Sequence, residues 1–219
     1  MKKKVIISLS GGMDSATLIA YLLNSSFDVS SVSFFYGSKH GKYECECAKK
    51  IAKFYGIDNC ILDLSFFMMQ FSSHLLKRGG EIPEGHYSNL SMTKTIVPMR
   101  NIIFASILSG IAMSKKYDYV SLGVHAGDHA IYPDCRPDFC KSLDLSIYLS
   151  SDKSIHLLTP FLYMNKTEIL KWGLSHNVPY NITRTCYKDQ EIACGKCGSC
   201  NERLEAFKLC QIIDPLNYE

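Results

Sequence analysis

"SLSGGMDSATLIA", residues 8–20, joins an apolar run to a helical pattern through two adjacent glycines. Val5 to Leu9 reads as a buried strand. Ser15 to Leu23 reads as a helix with Ala16, Ile19, Ala20 and Leu23 on one face. A strand that turns directly into a helix presents free N–H groups and the positive end of the helix dipole at one point, which suits an anion. Gly11 and Gly12 let the backbone approach that anion closely, and Ser10 and Ser15 add hydroxyls. Asp14 opposes an anion unless a cation such as Mg²⁺ lies between them. The stretch has neither the lysine and spacing of GxxxxGK[ST] nor the glycines of GxGxxG. Two glycines alone read better as a turn, with Asp14 and Ser15 as ordinary helix N-terminal residues; the strand–SGGxDS–helix context favours a phosphate.

Working outward, the same alternation repeats. Val29–Phe35 reads as a second strand, followed by a charged helix over Lys39–Tyr55 that stops at Gly56, and Cys60–Leu64 as a short third strand. Residues 72–96 carry breakers and weak periodicity, as a functional lid would. After Pro98 a helix over Asn101–Met113 is apolar nearly all round and is expected to be buried. Tyr117–Val124 and Ser154–Leu158 supply two more strands, and Asn165 with Glu168 forms a capping box opening a helix to His176. Continuous apolar strands alternating with helices predict an α/β, Rossmann-like, doubly wound parallel sheet. Ligands in such sheets bind beyond the strand ends where SLSGGMDSA falls.

The chain has 219 residues, 47% hydrophobic and 21% charged, with 24 basic against 21 acidic residues. A net charge of +3 argues against a partner that is a long polyanion. The opening MKKKVIISLSGG is too short in its apolar part for a secretory signal, and no stretch reads as a membrane span. A cytoplasmic chain is expected, its ten cysteines serving as thiols or ligands rather than disulfides.

Four of those cysteines lie in "TCYKDQEIACGKCGSCNER", residues 185–203. Cys186, Cys194, Cys197 and Cys200 are spaced C-x7-C-x2-C-x2-C, with Gly195 and Gly198 expected to free N–H groups toward sulfur. Four thiolates suit a structural Zn²⁺ with no open position for substrate; an iron–sulfur cluster is the rival. The tail is expected to owe its folding to that metal. Cys45, Cys47, Cys60, Cys140 and Cys210 read as helix or core residues.

"GVHAGDHAIYPDCRPDFC", residues 123–140, follows the fourth strand and gathers Asp128, Tyr132, Asp134, Cys135 and Arg136. Carboxylates here can accept from a guanine-like donor edge, and Arg136 can pair an anion. A fixed turn held by Pro133 and Pro137 is the competing reading.

Ser10-Gly11-Gly12-Met13-Asp14-Ser15 resembles the SGGxDS loop of the PP-loop ATP pyrophosphatases. With "TIVPMRN" (95–101), "YPDCRP" (132–137), "LTPFLYMNKTEI" (158–169) and the four-cysteine tail, the whole chain resembles the 7-cyano-7-deazaguanine synthase family. The resemblance implies ATP split between its α and β phosphates. The 7-carboxy group of a deazaguanine and then its amide are each adenylated, with ammonia as the nitrogen source. It implies ATP contacts over Leu9, Ser10, Gly11, Gly12, Met13, Asp14, Ser15, Ala16, Thr17, Leu18 and Ile19, with Mg²⁺ accompanying the nucleotide. Asp14, Ser15, Arg100 and Lys166 are the expected catalytic residues, and Asp128, Tyr132, Asp134 and Arg136 the expected substrate contacts. Arg100, Asn101, Arg136 and Lys166 are candidates for balancing phosphate or carboxylate charge. His125 and His129 depart from the family pattern and receive no role.

Three other readings share these residues. The activated carboxylate could pass to a different amine; the chain could be a PP-loop tRNA-modifying enzyme; or it could be a non-catalytic zinc-ribbon module on a nucleotide-sensing fold. Residues 1–180 are expected to form the ATP and substrate domain, with 181–219 a zinc-binding segment packed on it, in a homodimer that binds neither nucleic acid nor membrane.

Overall fold

Five strands, β1 (Lys4–Ser8), β2 (Asp28–Phe35), β3 (Asn59–Asp63), β4 (Tyr119–Ser121) and β5 (His156–Leu158), run parallel in the order β3-β2-β1-β4-β5. The computed structural model describes residues 2–219. Among the described residues seven α-helices connect or flank the strands: α1 (Met13–Asn24), α2 (Gly41–Tyr55), α3 (Ser65–Met68), α4 (Arg100–Lys115), α5 (Pro137–Ser150), α6 (Lys166–Ser175) and α7 (Gly198–Leu209). The chain steps from β1 to β2 on one side and returns to place β4 on the other. The switch point of the sheet is therefore the gap between the ends of β1 and β4.

Strand alternation divides the core into two layers. Ile6, Val32, Phe34 and Val120 face α4, α5 and the cysteine segment, while Val5, Ile7 and Val29 face α1, α2, α6 and α7. Both faces are covered, which is why these strands read as continuous apolar runs. Gly56 ends α2 in the left-handed region, and its N–H returns to the helix carbonyls. Asn165 and Glu168 form the capping box at the start of α6.

The structure departs from the sequence reading in three places. β4 and β5 are shorter than Tyr117–Val124 and Ser154–Leu158. Leu122–His125 leave the sheet to cross the strand ends, and Asp152 and Lys153 adopt left-handed turns just before β5. α4 is buried on one side only, through Phe104, Ala105, Leu108 and Ala112, while Met113 is 51% exposed. Leu90–Lys115 is apolar enough over 26 residues to match a membrane span by length and composition. It breaks between Thr95 and Arg100, however, and α4 packs on β1 and β4 as a core helix.

The C-terminal segment is woven into this body. Its four ligand-type cysteines belong to the α4 core layer, and Ala206 and Phe207 to the α1 layer. Arg203, fully buried on α7, donates to both carboxylate oxygens of Asp214 at 2.7 and 2.9 Å and to the Tyr180 carbonyl, tying the last turn of chain to the centre.

Candidate active site

A cleft opens at the β1/β4 switch point. It is floored by Leu9, Ser10, Gly12, Met13, Asp14 and Ser15 of the loop and by Leu122–His125 after β4. Gly12 is the N-cap of α1 with no side-chain cap, so the first N–H groups of that helix have no intrahelical acceptor. Gly11 sits at φ +82, and a Cβ there would run into the carbonyl of Glu44, so the turn admits glycine alone. The Ser10 and Ser15 hydroxyls lie 3.1 Å apart, and Ser15 donates to the Gly12 carbonyl.

Part of the loop expected to touch nucleotide does not reach the cleft. Ala16, Leu18 and Ile19 are fully buried in the α1 core layer. Thr17 bonds the Met13 carbonyl and the Tyr180 hydroxyl. One turn into the helix, side chains point to the sheet rather than to the open N-terminus.

Charge concentrates beyond the loop. Lys166 is buried, not solvent-facing, and its Nζ lies 2.6 Å from Asp14 Oδ2, 3.3 Å from Glu202 Oε2 and 3.1 Å from His125 Nε2. Burial alone would lower the Lys166 pKa, but the carboxylates of Asp14, Glu202 and Asp128 raise it well above its ordinary value. Burial would likewise raise Asp14, yet the charges of Lys166 and His125 hold it below the usual carboxylate range. Asp14 Oδ1 is buried with no hydrogen-bond partner, the state of an atom placed to meet a cation or a polar ligand. His125 accepts from the Gly127 N–H through Nδ1, and its Nε2 lies 3.4 Å from Asp128 Oδ2.

The opposite wall is aromatic and basic. Tyr36, Tyr87, Tyr132, Tyr187 and Arg100 line it, and the Tyr87 hydroxyl donates to Asp128. Tyr87 comes from the 72–96 segment, which is fixed to the cysteine region by the Gly85 N–H donating to the Lys196 carbonyl at 3.0 Å. Of the expected substrate residues, Asp128 and Tyr132 line the cleft, but Asp134 and Arg136 do not. Asp134 Oδ2 accepts from the Asn101 N–H at 3.1 Å and so caps α4. Arg136 is exposed and donates to the His129 carbonyl at 2.9 Å.

Cys186, Cys194, Cys197 and Cys200 bring their sulfurs within 4.8 Å of one another, all fully buried. A tetrahedral Zn²⁺ with bonds of about 2.3 Å separates its sulfurs by about 3.8 Å, so the set fits one such ion. Cys194 and Cys200 Sγ are already 4.0 Å apart. Backbone N–H groups of Lys188, Cys194, Lys196 and Cys197 point at sulfur. None comes from a glycine: Gly195 supplies instead the left-handed turn (φ +65) that aims its successors at Cys194. Hydrogen bonds from Cys197, Cys200 and the backbone lower the Cys186 thiol and favour its thiolate. Cys135 and Cys140 are buried, Cys45, Cys47 and Cys210 half-buried, and Cys60 is exposed on the edge strand rather than in the core.

Sequence reasoning left out Glu202, Tyr87 and Tyr187 and gave His125 no role. Glu202 and Tyr187 were hidden inside a motif read only for its cysteines.

The fold is shared with a 4-thiouridine synthetase solved in complex with RNA and bound ATP. That structure aligns at a TM-score of 0.53 and 20% identity over 93% of this chain and 50% of that one. This likeness defines the fold class. A family model described as "Queuosine biosynthesis protein QueC" matches residues 4–211, and the chain belongs to that family. It is 43% identical over 216 residues to the 7-cyano-7-deazaguanine synthase of Caldicellulosiruptor saccharolyticus, covering 99% of this chain and 96% of that protein. With the 7-cyano-7-deazaguanine synthase of Marinomonas sp. strain MWYL1 it shares 42% over 219 residues, the full length of both.

Proposed function

We propose that the chain is an ATP-dependent ligase that converts 7-carboxy-7-deazaguanine and ammonia to 7-cyano-7-deazaguanine, in queuosine biosynthesis. The observation that carries this beyond family membership is the Asp14–Lys166 pair at the open N-terminus of α1. It puts a carboxylate and an ammonium where a triphosphate laid along the loop would present its α–β bridge.

In this reading the substrate carboxylate attacks the α-phosphorus and pyrophosphate leaves. Ammonia then displaces AMP to give the amide. The amide oxygen attacks the α-phosphorus of a second ATP and a second pyrophosphate leaves; loss of AMP, with two protons released over the two steps, leaves the nitrile. The loop N–H groups and Ser10 and Ser15 hold the departing pyrophosphate, while Lys166 and Arg100 balance its growing charge. Mg²⁺ held on Asp14 would neutralise phosphate charge and orient the nucleotide. Asp128 accepts from the donor edge of the base, and Tyr132 and Tyr87 wall it in.

Zn²⁺ is the ion we assign to Cys186, Cys194, Cys197 and Cys200. Residues 1–180 carry nucleotide and substrate, and 181–219 close over them as a metal-held segment. Met113, Leu145 and Leu149 leave apolar surface exposed on the α4–α5 layer, which supports a homodimer testable by sedimentation. A cytoplasmic location fits an enzyme of this chemistry. Mass spectrometry of products from the deazaguanine acid, ammonia and Mg-ATP tests the reading. Nitrile, AMP and pyrophosphate are expected; ADP and phosphate, or no nitrile, would refute it.

A further inference from the structure

Lys166 is a buried ammonium with two close carboxylate partners, and only Asp14 belongs to the phosphate loop. The other, Glu202, reaches the cleft from α7, two residues beyond Cys200 on the helix that Cys197 caps. Its Oε2 faces Lys166 at 3.3 Å. Its Oε1 lies beside Gly127, where an added Cβ would come within 2.7 Å of it, so a side chain at 127 would displace the carboxylate.

We propose that Glu202 is the positioning residue for Lys166, and that the four-cysteine cluster holds it there, coupling metal occupancy to the geometry of the phosphate loop. With nucleotide bound, Asp14 and Lys166 both gain partners on the phosphate side. Glu202 is the carboxylate that stays, keeping the ammonium charged and aimed along the loop. The path is short: the cysteines set the first turn of α7, that turn carries Glu202 two residues on, and an ion pair joins Glu202 to Lys166.

The inference rests on Lys166 facing phosphate, but its first readout needs no substrate. Acetic anhydride labelling of Lys166, followed by peptide mass spectrometry, reports its shielding in full-length protein. Glu202→Gln should keep the wild-type metal content and cooperative melt while Lys166 labels several-fold faster than in wild type. Its kcat for ATP–pyrophosphate exchange should fall about tenfold with KM for ATP little changed. Glu202→Asp, which keeps the charge, should recover part of both. Wild-type protein stripped of metal by a chelator should label like Glu202→Gln. Wild-type labelling in Glu202→Gln overturns the positioning role, and wild-type labelling in stripped protein overturns the coupling. Loss of metal from Glu202→Gln also overturns it, because Glu202 would then act through the fold. Fast labelling without any synthase activity would leave the inference standing and remove the reading of the reaction.

Discussion

Asp14 and Lys166 are 152 residues apart in sequence and 2.6 Å apart in the fold, the one on the loop after β1 and the other opening α6. The two helices that carry them pack side by side across the sheet face, so the pair measures how well the two halves of the nucleotide cleft are joined. Asp14→Asn should keep the fold and reduce adenylation by two orders of magnitude or more, on the order of 3 kcal/mol in the barrier. ATP–pyrophosphate exchange checks it, and near-normal exchange would take Asp14 out of the reaction.

The same pair sets a pH dependence. Lys166 holds the Asp14 carboxyl below its ordinary value, so the folded state binds that proton less readily than the unfolded chain. The contribution is fully present above the unfolded pKa of about 4 and is lost as pH falls through the lower folded value. Thermal melts between pH 2.5 and 6, chosen to bracket a carboxylate of about 4, should show a shallower acid decline in Asp14→Asn than in wild type. Parallel declines would mean the pair adds nothing to stability.

Metal removal is expected to stop the chemistry as well as loosen the tail. Tyr187 and Ser199, between the four cysteines in sequence, and Thr185 and Glu202, just outside them, all line the cleft. Cys197→Ser should lower metal content from about one ion per chain and abolish adenylation in the same preparation. A metal-free protein with full exchange activity would show the cluster to be structurally separate. An iron absorption band after anaerobic purification would overturn zinc.

Asp134→Ala separates position in sequence from position in space. Asp134 follows the segment that lines the cleft, yet its carboxylate caps the start of α4. The substitution should cost about 1 kcal/mol of stability and lower kcat for both substrates together, since Arg100 lies on that first turn. A rise in KM for the deazaguanine acid alone would restore Asp134 as a substrate contact.

How far the site could be read from sequence follows from how it is built. The SGGxDS loop and the cysteine set are local: their chemistry is fixed by spacing within about four turns of chain, which a sequence displays. The sheet was legible for the same reason, its buried strands being continuous apolar runs. Glu202 and Tyr87 carry no such signal. Each is an ordinary residue brought in by its place in the fold, Glu202 by the start of α7, which Cys197 caps, and Tyr87 by the Gly85–Lys196 backbone bond. Asp134 and Arg136 erred the other way, because the turn at Pro133–Cys135 rotates them off the face that Asp128 and Tyr132 occupy. Periodicity cannot register such a rotation in an irregular segment.

Asp128 is then the residue on which base recognition should turn. Its carboxylate accepts from the Tyr87 hydroxyl and faces His125 at 3.4 Å, inside the cleft. A guanine-like N1–H and exocyclic amine can replace the Tyr87 hydroxyl there, and charge-assisted bonds of this kind contribute about 1.5–3 kcal/mol. Asp128→Asn should therefore raise KM for the deazaguanine acid on the order of 10- to 100-fold, with ATP affinity by calorimetry unchanged. Tyr87→Phe removes the competing donor and keeps the carboxylate, so its KM for the acid should stay at or below the wild-type value. An analogue of the acid lacking the exocyclic amine sharpens the test. Wild type should discriminate against it, and Asp128→Asn should treat the two nearly alike. If both proteins discriminate equally, the amine is read elsewhere and Asp128 serves only to order Tyr87 and His125.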